Sequence, residues 1–147
     1  GWNLYADGAT ESVARVMLAM DAERMALLGA VEPGGIAFQD AFETLYADYF
    51  LGRKSLSETL RKSPIHGNPA FPAPDTVNTR YISEDLPFGL VPWVHLGRQW
   101  GIPTPNVEAM VRIASTMLET DFFKEGLSLE DLGIAGMSPA EVRTLLG

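Results

Sequence analysis

The sequence predicts a single all-α domain, residues 1–147, with about five to seven helices. Between clusters of Pro and Gly, apolar residues recur every three to four positions, which is the period of an amphipathic helix. No alternating apolar and polar run longer than four residues is found, so strands are not expected. A chain of 147 residues is long enough to bury a core of its own.

Three helices are predicted in the first part of the chain. The first covers Glu11 to Ala30, and Thr10 is placed to be its N-cap. Six residues form its predicted apolar stripe, namely Val13, Val16, Met17, Met20, Leu27 and Leu28. The second lies around Phe38 to Tyr49 and carries many aromatic residues on one side. The third is a short helix near Leu56 to Lys62, which Ser55 opens as the first residue of a capping box.

Four further helices are predicted in the second part. One runs from Leu90 to Trp100 and is closed by Gly101. The next begins at Thr104-Pro105, with the threonine as N-cap and the proline in the first helical position. Two small helices complete the chain, one after Ser128 and one capped by Ser138.

Composition and charge exclude several classes of protein. The 19 acidic and 11 basic side chains give a net charge of −8, which repels phosphate backbones and anionic lipids, so neither a nucleic acid nor a membrane is an expected partner. With no cysteine and only two histidines, no metal site is expected, and a cytoplasmic location is favoured. The longest apolar stretch, Leu86 to Val94, contains two prolines and is far shorter than the ~20 residues of a membrane span.

Nucleotide-binding motifs are missing from the sequence. Neither GxGxxG nor GxxxxGK[ST] occurs, so the chain by itself is not expected to bind a nucleotide cofactor. The chain opens on Gly1-Trp-Asn3, without an initiator Met or a basic leader, and is therefore expected to be a fragment.

The segment from Asn78 to Pro92 concentrates the residues best suited to chemistry. It follows a proline-bearing stretch, Ser63 to Thr79, which is predicted to be an irregular loop. Arg80 presents a two-pronged donor suited to a carboxylate, and Asp85 could orient an imidazole or take part in proton transfer. From spacing alone, a structural ion pair of Arg80 with Asp85 or Glu84 is favoured.

Other conspicuous residues are expected to be structural. Arg24 lies on the apolar side of the first helix, where it must find an acid, Asp21 being the local candidate, or stay solvated. His66 and His95 have no acid, nucleophile or second His at a suitable spacing. The methionines and aromatic residues occur at helical spacing and are expected to pack in the core.

A resemblance to a known family rests on one fairly specific motif. The motif, Arg-Tyr-x-x-Glu-Asp-x-Pro-x-Gly-Leu-x-Pro, runs from Arg80 to Pro92 and is followed by Leu96-Gly97 and Gly101-Ile-Pro-Thr-Pro105. It resembles the helical C-terminal domain of the opine dehydrogenases, the octopine and nopaline dehydrogenase family. Segments 5–10 and 132–137 also look like parts of that domain, so the resemblance covers nearly the whole chain.

The resemblance implies a two-domain oxidoreductase. Such an enzyme condenses the amino group of an amino acid with a 2-oxo acid and reduces the imine with NAD or NADP. The cofactor is held by an N-terminal Rossmann domain, which this chain lacks, and the helical domain supplies much of the amino-acid site.

The same resemblance assigns roles to two residues. The family's Arg that engages a substrate carboxylate matches Arg80, and the family's catalytic Asp, which orients a His, matches Asp85. That His lies upstream of the matched part, and neither His66 nor His95 corresponds to it. The chain alone is therefore expected to be inactive.

One alternative from a different class stays open. A stand-alone helical binding or dimerisation module could keep the fold and lack the chemistry. A homodimer is also possible, because a domain separated from its partner exposes an apolar docking face.

Overall fold

The computed structural model describes residues 1–34, 55–68, 70 and 72–147. Within these ranges the regular structure is helical and contains no β-sheet, although an isolated antiparallel bridge joins Asn3 to Pro72. The all-α fold predicted from the sequence is confirmed. The aromatic helix predicted around Phe38 to Tyr49 lies outside the described residues. None of the described helices is both long enough and apolar enough to span a membrane.

The chain divides into two compact units. Unit 1 comprises Gly1–Asp21 and Ile36–Asp75, and unit 2 comprises Ala22–Gly35 and Thr76–Gly147. Helix α1 (Glu11–Val31) contributes residues to both units.

Both described helices that begin in unit 1 are capped by a side-chain hydroxyl. The Thr10 hydroxyl accepts a hydrogen bond from the Val13 N–H at 3.3 Å and caps α1, as predicted. Helix α2 (Leu56–Lys62) begins in the same way, because the Ser55 hydroxyl accepts from the Glu58 N–H at 3.2 Å. The core consists of four buried residues with two partly buried neighbours: Ala9, Ala14, Leu56 and Leu60, with Tyr5 and Met17.

Unit 2 contains the remaining helices. They are α3 (Arg80–Ser83), a π-helical segment (Leu86–Leu90), α4 (Val91–Trp100), α5 (Pro105–Met117), α6 (Phe122–Glu125) and α7 (Pro139–Leu146). The short helices α3 and α6 are not predicted from the sequence. A buried cluster from several of these elements forms the core, namely Leu86, Val91, Val111, Ala114 and Phe122.

Burial along α1 differs from the predicted apolar stripe. Val13 and Val16 are exposed, although both belong to that stripe. The buried apolar residues of the helix are Ala14, Leu27 and Val31. Arg24 is half-buried, and its guanidinium contacts the Met25 sulfur at 3.4 Å. Arg24 is therefore partly solvated and not fully buried.

The first turn of α5 is capped by a side chain from α1. Thr104 occupies the N-cap position as predicted, but its side chain makes no capping hydrogen bond. The Glu23 carboxylate instead accepts from the N–H groups of Asn106 at 2.8 Å and Val107 at 3.0 Å. Since Pro105 has no N–H, these are the first donors inside the helix that need a partner.

Two glycines shape the end of α4. Gly101 closes the helix in the left-handed conformation, with φ 66°, as predicted. A Cβ at Gly97 would lie 2.6 Å from the Ile102 carbonyl oxygen and 3.0 Å from Thr104 Cγ2. The chain that follows α4 can therefore pack closely on the helix only where residue 97 has no side chain.

The helix predicted after Ser128 is not formed. The Asp131 carboxylate accepts from the Ser128 hydroxyl at 2.6 Å and from its N–H at 3.1 Å, which closes a single turn. Gly133 then adopts φ 69°, a left-handed conformation that does not continue a helix. Helix α7 begins as predicted, with a complete capping box between Ser138 and Glu141.

Candidate functional site

The segment that carries Arg80 and Asp85 is a succession of short helical pieces. In the preceding loop, Ser63 to Thr79, the described residues form turns and bends, as predicted. Thr79 is extended, with φ −131° and ψ 163°, and α3 begins at the next residue. Asp85 lies between the end of α3 and the start of the π-helical segment.

Two prolines and a distant N–H group determine the hydrogen bonds of the π-helical segment. The Val91 N–H donates to the carbonyl of Leu86, which is the i→i+5 pairing of a π-helix. Pro92 has no N–H and cannot pair in the same way with Pro87. The Pro87 carbonyl instead accepts from the Leu127 N–H at 2.9 Å. The geometry of the segment therefore depends on a residue far along the chain.

Gly126 allows this close approach. A Cβ at this position would lie 2.6 Å from the Phe122 carbonyl oxygen and 2.9 Å from both the Pro87 carbonyl oxygen and Val91 Cγ1. Because these distances are shorter than normal van der Waals contact, residue 126 has to be glycine for this packing. The π-helical segment is thus held against the core, whereas Arg80 and Asp85, which precede it, are exposed.

Arg80 is at the surface. Its Nη2 lies 3.2 Å from Glu84 Oε2, and the two side chains are 76% and 56% exposed. Of the two acids considered as structural partners, the structure pairs Arg80 with Glu84, and within the described residues no ion pair joins it to Asp85. An exposed ion pair adds little stability. The guanidinium can therefore exchange Glu84 for another carboxylate at small cost.

Asp85 borders an open concavity of about 560 Å³. The residue is exposed, and its side chain makes no capping hydrogen bond to the segment that follows it. The lining combines two carboxylates with two aromatic rings and a short apolar stretch, formed by Glu84, Asp85, Phe88, Gly89, Leu90 and Trp93. The Asp85 carboxylate is thus available to a hydrogen-bond donor that enters this space.

Phe88 lines this concavity and a second one of about 330 Å³. The second concavity has a more polar lining, formed by Asn78, Ser83, Pro87, Phe88, Leu118, Thr120, Phe122 and Glu125. Phe88 is 63% exposed. Sequence reasoning misses this residue because an aromatic residue at helical spacing is expected in a core. The available signal is its place between Pro87 and Gly89, which disfavour a regular helix.

The two histidines pack against aromatic rings. In unit 1, His66 meets the Tyr5 ring edge-on, with centroids 5.1 Å apart, and burial lowers the pKa of this histidine. In unit 2, His95 lies beside Phe123, with centroids 6.2 Å apart. Burial, followed by the positive charge of Arg98, lowers the pKa of His95. These contacts agree with the structural role expected for both residues.

Other groups of ionisable side chains in the described ranges are paired among themselves or dispersed. No three His, Asp or Glu residues there are grouped so that they could hold a metal ion. Glu108 accepts from Arg112 at 2.6 Å and from Arg98 at 3.0 Å, and the hydrogen bond from Arg112 is the main reason that its pKa is lowered. Both guanidinium groups also lie over the Phe123 ring, at 5.0 and 5.5 Å from its centroid.

Comparison with known proteins connects the chain with a family of enzymes. Residues 1–118, which include Arg80 and Asp85, match the family described as NAD/NADP octopine/nopaline dehydrogenase, alpha-helical domain. The chain is 34% identical over 143 residues to an opine dehydrogenase of Arthrobacter sp. (strain 1C), a match that covers 95% of this chain and 38% of that protein.

Two further relatives are more distant. Protein ocs of Agrobacterium vitis is 27% identical over 144 residues, or 97% of this chain and 38% of that protein. A vitopine synthase of Allorhizobium ampelinum is 23% identical over 123 residues, or 84% of this chain and 33% of that protein. The chain thus spans well under half the length of the curated relatives it matches.

Proposed function

This chain belongs to the alpha-helical domain family of the NAD/NADP octopine/nopaline dehydrogenases, and from that premise we propose that it is the substrate-binding domain of an opine dehydrogenase-type oxidoreductase. The enzyme would condense the amino group of an amino acid with the carbonyl of a 2-oxo acid, release water and reduce the resulting imine. The observation that carries this proposal is that Arg80 and Asp85 are both exposed directly before a π-helical segment that is held against the core.

Arg80 would bind a carboxylate of the substrate. Its guanidinium already holds the Glu84 carboxylate at 3.2 Å, so it can bind a carboxylate at this position. Two parallel N–H donors fix both the place and the orientation of a planar carboxylate. Exchange of the exposed Glu84 carboxylate for that of the substrate would leave the number of ion pairs unchanged.

Asp85 would act through a histidine. Its carboxylate would accept the N–H of an imidazole supplied by another part of the protein, which fixes the tautomer and stabilises the imidazolium form. The histidine could then exchange a proton with the reacting carbonyl or imine. The two histidines of this chain are packed against Tyr5 and Phe123, which supports an outside source for the imidazole.

The nicotinamide cofactor would lie on a separate N-terminal Rossmann domain of the same protein. The residues of this chain do not fit the cofactor, because the sequence contains no glycine-rich phosphate-binding motif. The relatives extend well beyond the matched region, which leaves room for such a domain. Its bound nicotinamide would supply the hydride that reduces the imine.

The test is an assay of the full-length gene product. The oxidation of NADH and of NADPH is measured with an amino acid, with a 2-oxo acid and with both together, and the product is identified by mass spectrometry. We expect oxidation that requires both substrates and yields a secondary amine dicarboxylate. The 147-residue chain alone is the control, and it should neither bind nor oxidise the cofactor.

Two results would contradict the proposal. The first is a full-length protein that shows no oxidation dependent on both substrates. The second is a gene without an upstream strand, glycine-rich turn and helix, which would favour a stand-alone binding or dimerisation module.

A further inference from the structure

Phe88 is an exposed aromatic residue in a position held from several directions. Phe88 is 63% exposed, whereas Phe122 in the same unit is 6% exposed. The Phe88 N–H donates to the Glu84 carbonyl at 3.2 Å, and the neighbouring Pro87 carbonyl accepts from Leu127 at 2.9 Å. The backbone that carries the ring is thus fixed while the ring itself is available for contact.

Single exposed aromatic residues are common on protein surfaces, but Phe88 also borders two concavities. Phe88 lines both the Asp85 concavity and the more polar concavity that contains Ser83 and Thr120. A residue that lines both concavities can contact a molecule bound in either of them. With about 560 Å³, the Asp85 concavity lies within the range of small-molecule sites, which is roughly 300–1,000 Å³.

We propose that Phe88 is a specificity-determining residue, whose ring packs against the side chain of the amino-acid substrate and selects for its size. This inference rests on the proposed function. The amino group of the substrate would lie near Asp85, where proton transfer is needed, and the side chain attached to the adjacent carbon would then extend over the apolar surface. Among the described residues, Phe88 and Trp93 are the aromatic ones that line this space.

The experiment compares amino acids of increasing side-chain size in the full-length enzyme. Values of kcat/KM are measured for alanine, valine, leucine and methionine with one fixed 2-oxo acid. Each methylene in contact with an apolar wall changes discrimination by about 10-fold or more. We therefore expect Phe88→Ala to lower the leucine-to-alanine ratio of kcat/KM by at least about 10-fold, chiefly through the KM for leucine, and Phe88→Leu to lower it less.

Tyr81→Ala is the matched control. Tyr81 is 52% exposed on the same segment and lines neither concavity, so its loss should leave the ratio nearly unchanged. Melting curves identify any variant that does not fold. If Phe88→Ala does not fold, the leucine-to-alanine ratio of kcat/KM is taken from Phe88→Leu, which keeps an apolar side chain.

The outcomes separate this inference from the proposed function. If the wild-type enzyme is active and the Phe88 variants change kcat/KM equally for all four amino acids, or not at all, the specificity role is wrong and the proposed function stands. A wild-type enzyme without activity that depends on both substrates overturns both.

Discussion

The Val107 N–H donates to Glu23 Oε2 at 3.0 Å, which joins the second half of α1 to the start of α5 within unit 2. The other carboxylate oxygen accepts from the Asn106 N–H at 2.8 Å and from its side-chain amide at 2.6 Å. Glu23 is only 8% exposed, and a buried carboxylate is costly unless its oxygens are satisfied. Three donors and the positive end of a helix dipole compensate for that burial.

We expect Glu23→Ala to lower the free energy of unfolding by about 2–3 kcal/mol, because it leaves two backbone donors of a buried helix start without a partner. Glu23→Gln keeps one acceptor oxygen and should cost less. Urea unfolding of each variant measures the difference.

Glu32→Ala is the control for this change. Glu32 is exposed and lies 3.8 Å from Arg143, so its replacement should alter stability by less than about 0.5 kcal/mol. Equal losses for Glu23→Ala and Glu32→Ala would show that the cap contributes nothing.

Helices with local start signals could be predicted from the sequence. The starts of α1, α2 and α7 follow from Thr10, Ser55 and Ser138, whose hydroxyls bond to N–H groups three residues on. The helix predicted after Ser128 failed although it has a similar signal, because the bonds to Asp131 close one turn and a left-handed glycine follows. A capping pattern therefore predicts a turn more securely than a helix.

Features that depend on distant partners could not be predicted. The cap at Asn106 comes from Glu23, and the π-helical segment relies on the Leu127 N–H. In the candidate site, Arg80 and Asp85 stand out as an arginine and an acid in a loop-flanked motif. Phe88 does not, since its exposure is decided by tertiary packing and not by its residue type.

Gly126→Ala should destabilise the protein by about 1–3 kcal/mol, because the new Cβ would meet the Phe122 and Pro87 carbonyl oxygens at 2.6 and 2.9 Å. Both are backbone atoms and cannot rotate away. The same variant should raise the KM for substrate, since the π-helical segment would have to shift. Gly29→Ala is the matched control, and it should raise stability by about 0.5–1 kcal/mol because Gly29 lies in α1 with nothing near the added methyl group.

The lowered pKa of His95 predicts that the stability of the folded protein depends on pH. Burial and then Arg98 lower the pKa of His95 below its ordinary value of 6.5, and Glu130 opposes this shift. Its Nε2 is buried without a hydrogen-bond partner among the described residues. As the pH falls below about 6.5, the unfolded chain takes up a proton before the folded one does, so the stability present above this pH is progressively lost.

Replacement of His95 isolates its share of this loss. His95→Gln cannot titrate, so the decline in the free energy of unfolding between about pH 7 and 5 should be shallower than in the wild type. His66→Gln is the parallel variant, since burial also lowers the pKa of His66. An identical pH slope in wild type and His95→Gln would contradict the prediction.

Arg80 and Asp85 should differ in their effects on catalysis by the full-length enzyme. Arg80→Ala would remove the proposed charge-assisted hydrogen bonds to a substrate carboxylate and should raise KM by a factor on the order of 10², equivalent to ~2–3 kcal/mol of lost binding. Asp85→Asn preserves the shape but would remove the charge proposed to stabilise the imidazolium, and should lower kcat by a factor on the order of 10²–10⁴. Steady-state kinetics measured beside a melting curve for each variant separate these effects.

Glu84→Gln tests the competing structural explanation for Arg80. It removes the negative charge of the ion pair with Arg80 while leaving the guanidinium in place. Because the pair is exposed, the melting temperature should hardly change, and KM should change far less than in Arg80→Ala. If Arg80 instead served only to stabilise the fold through its ion pair with Glu84, Glu84→Gln and Arg80→Ala would lower stability to a similar extent. Both variants would then leave kcat/KM of the folded enzyme intact. Folded Arg80 and Asp85 variants with wild-type kinetics would remove both residues from the site.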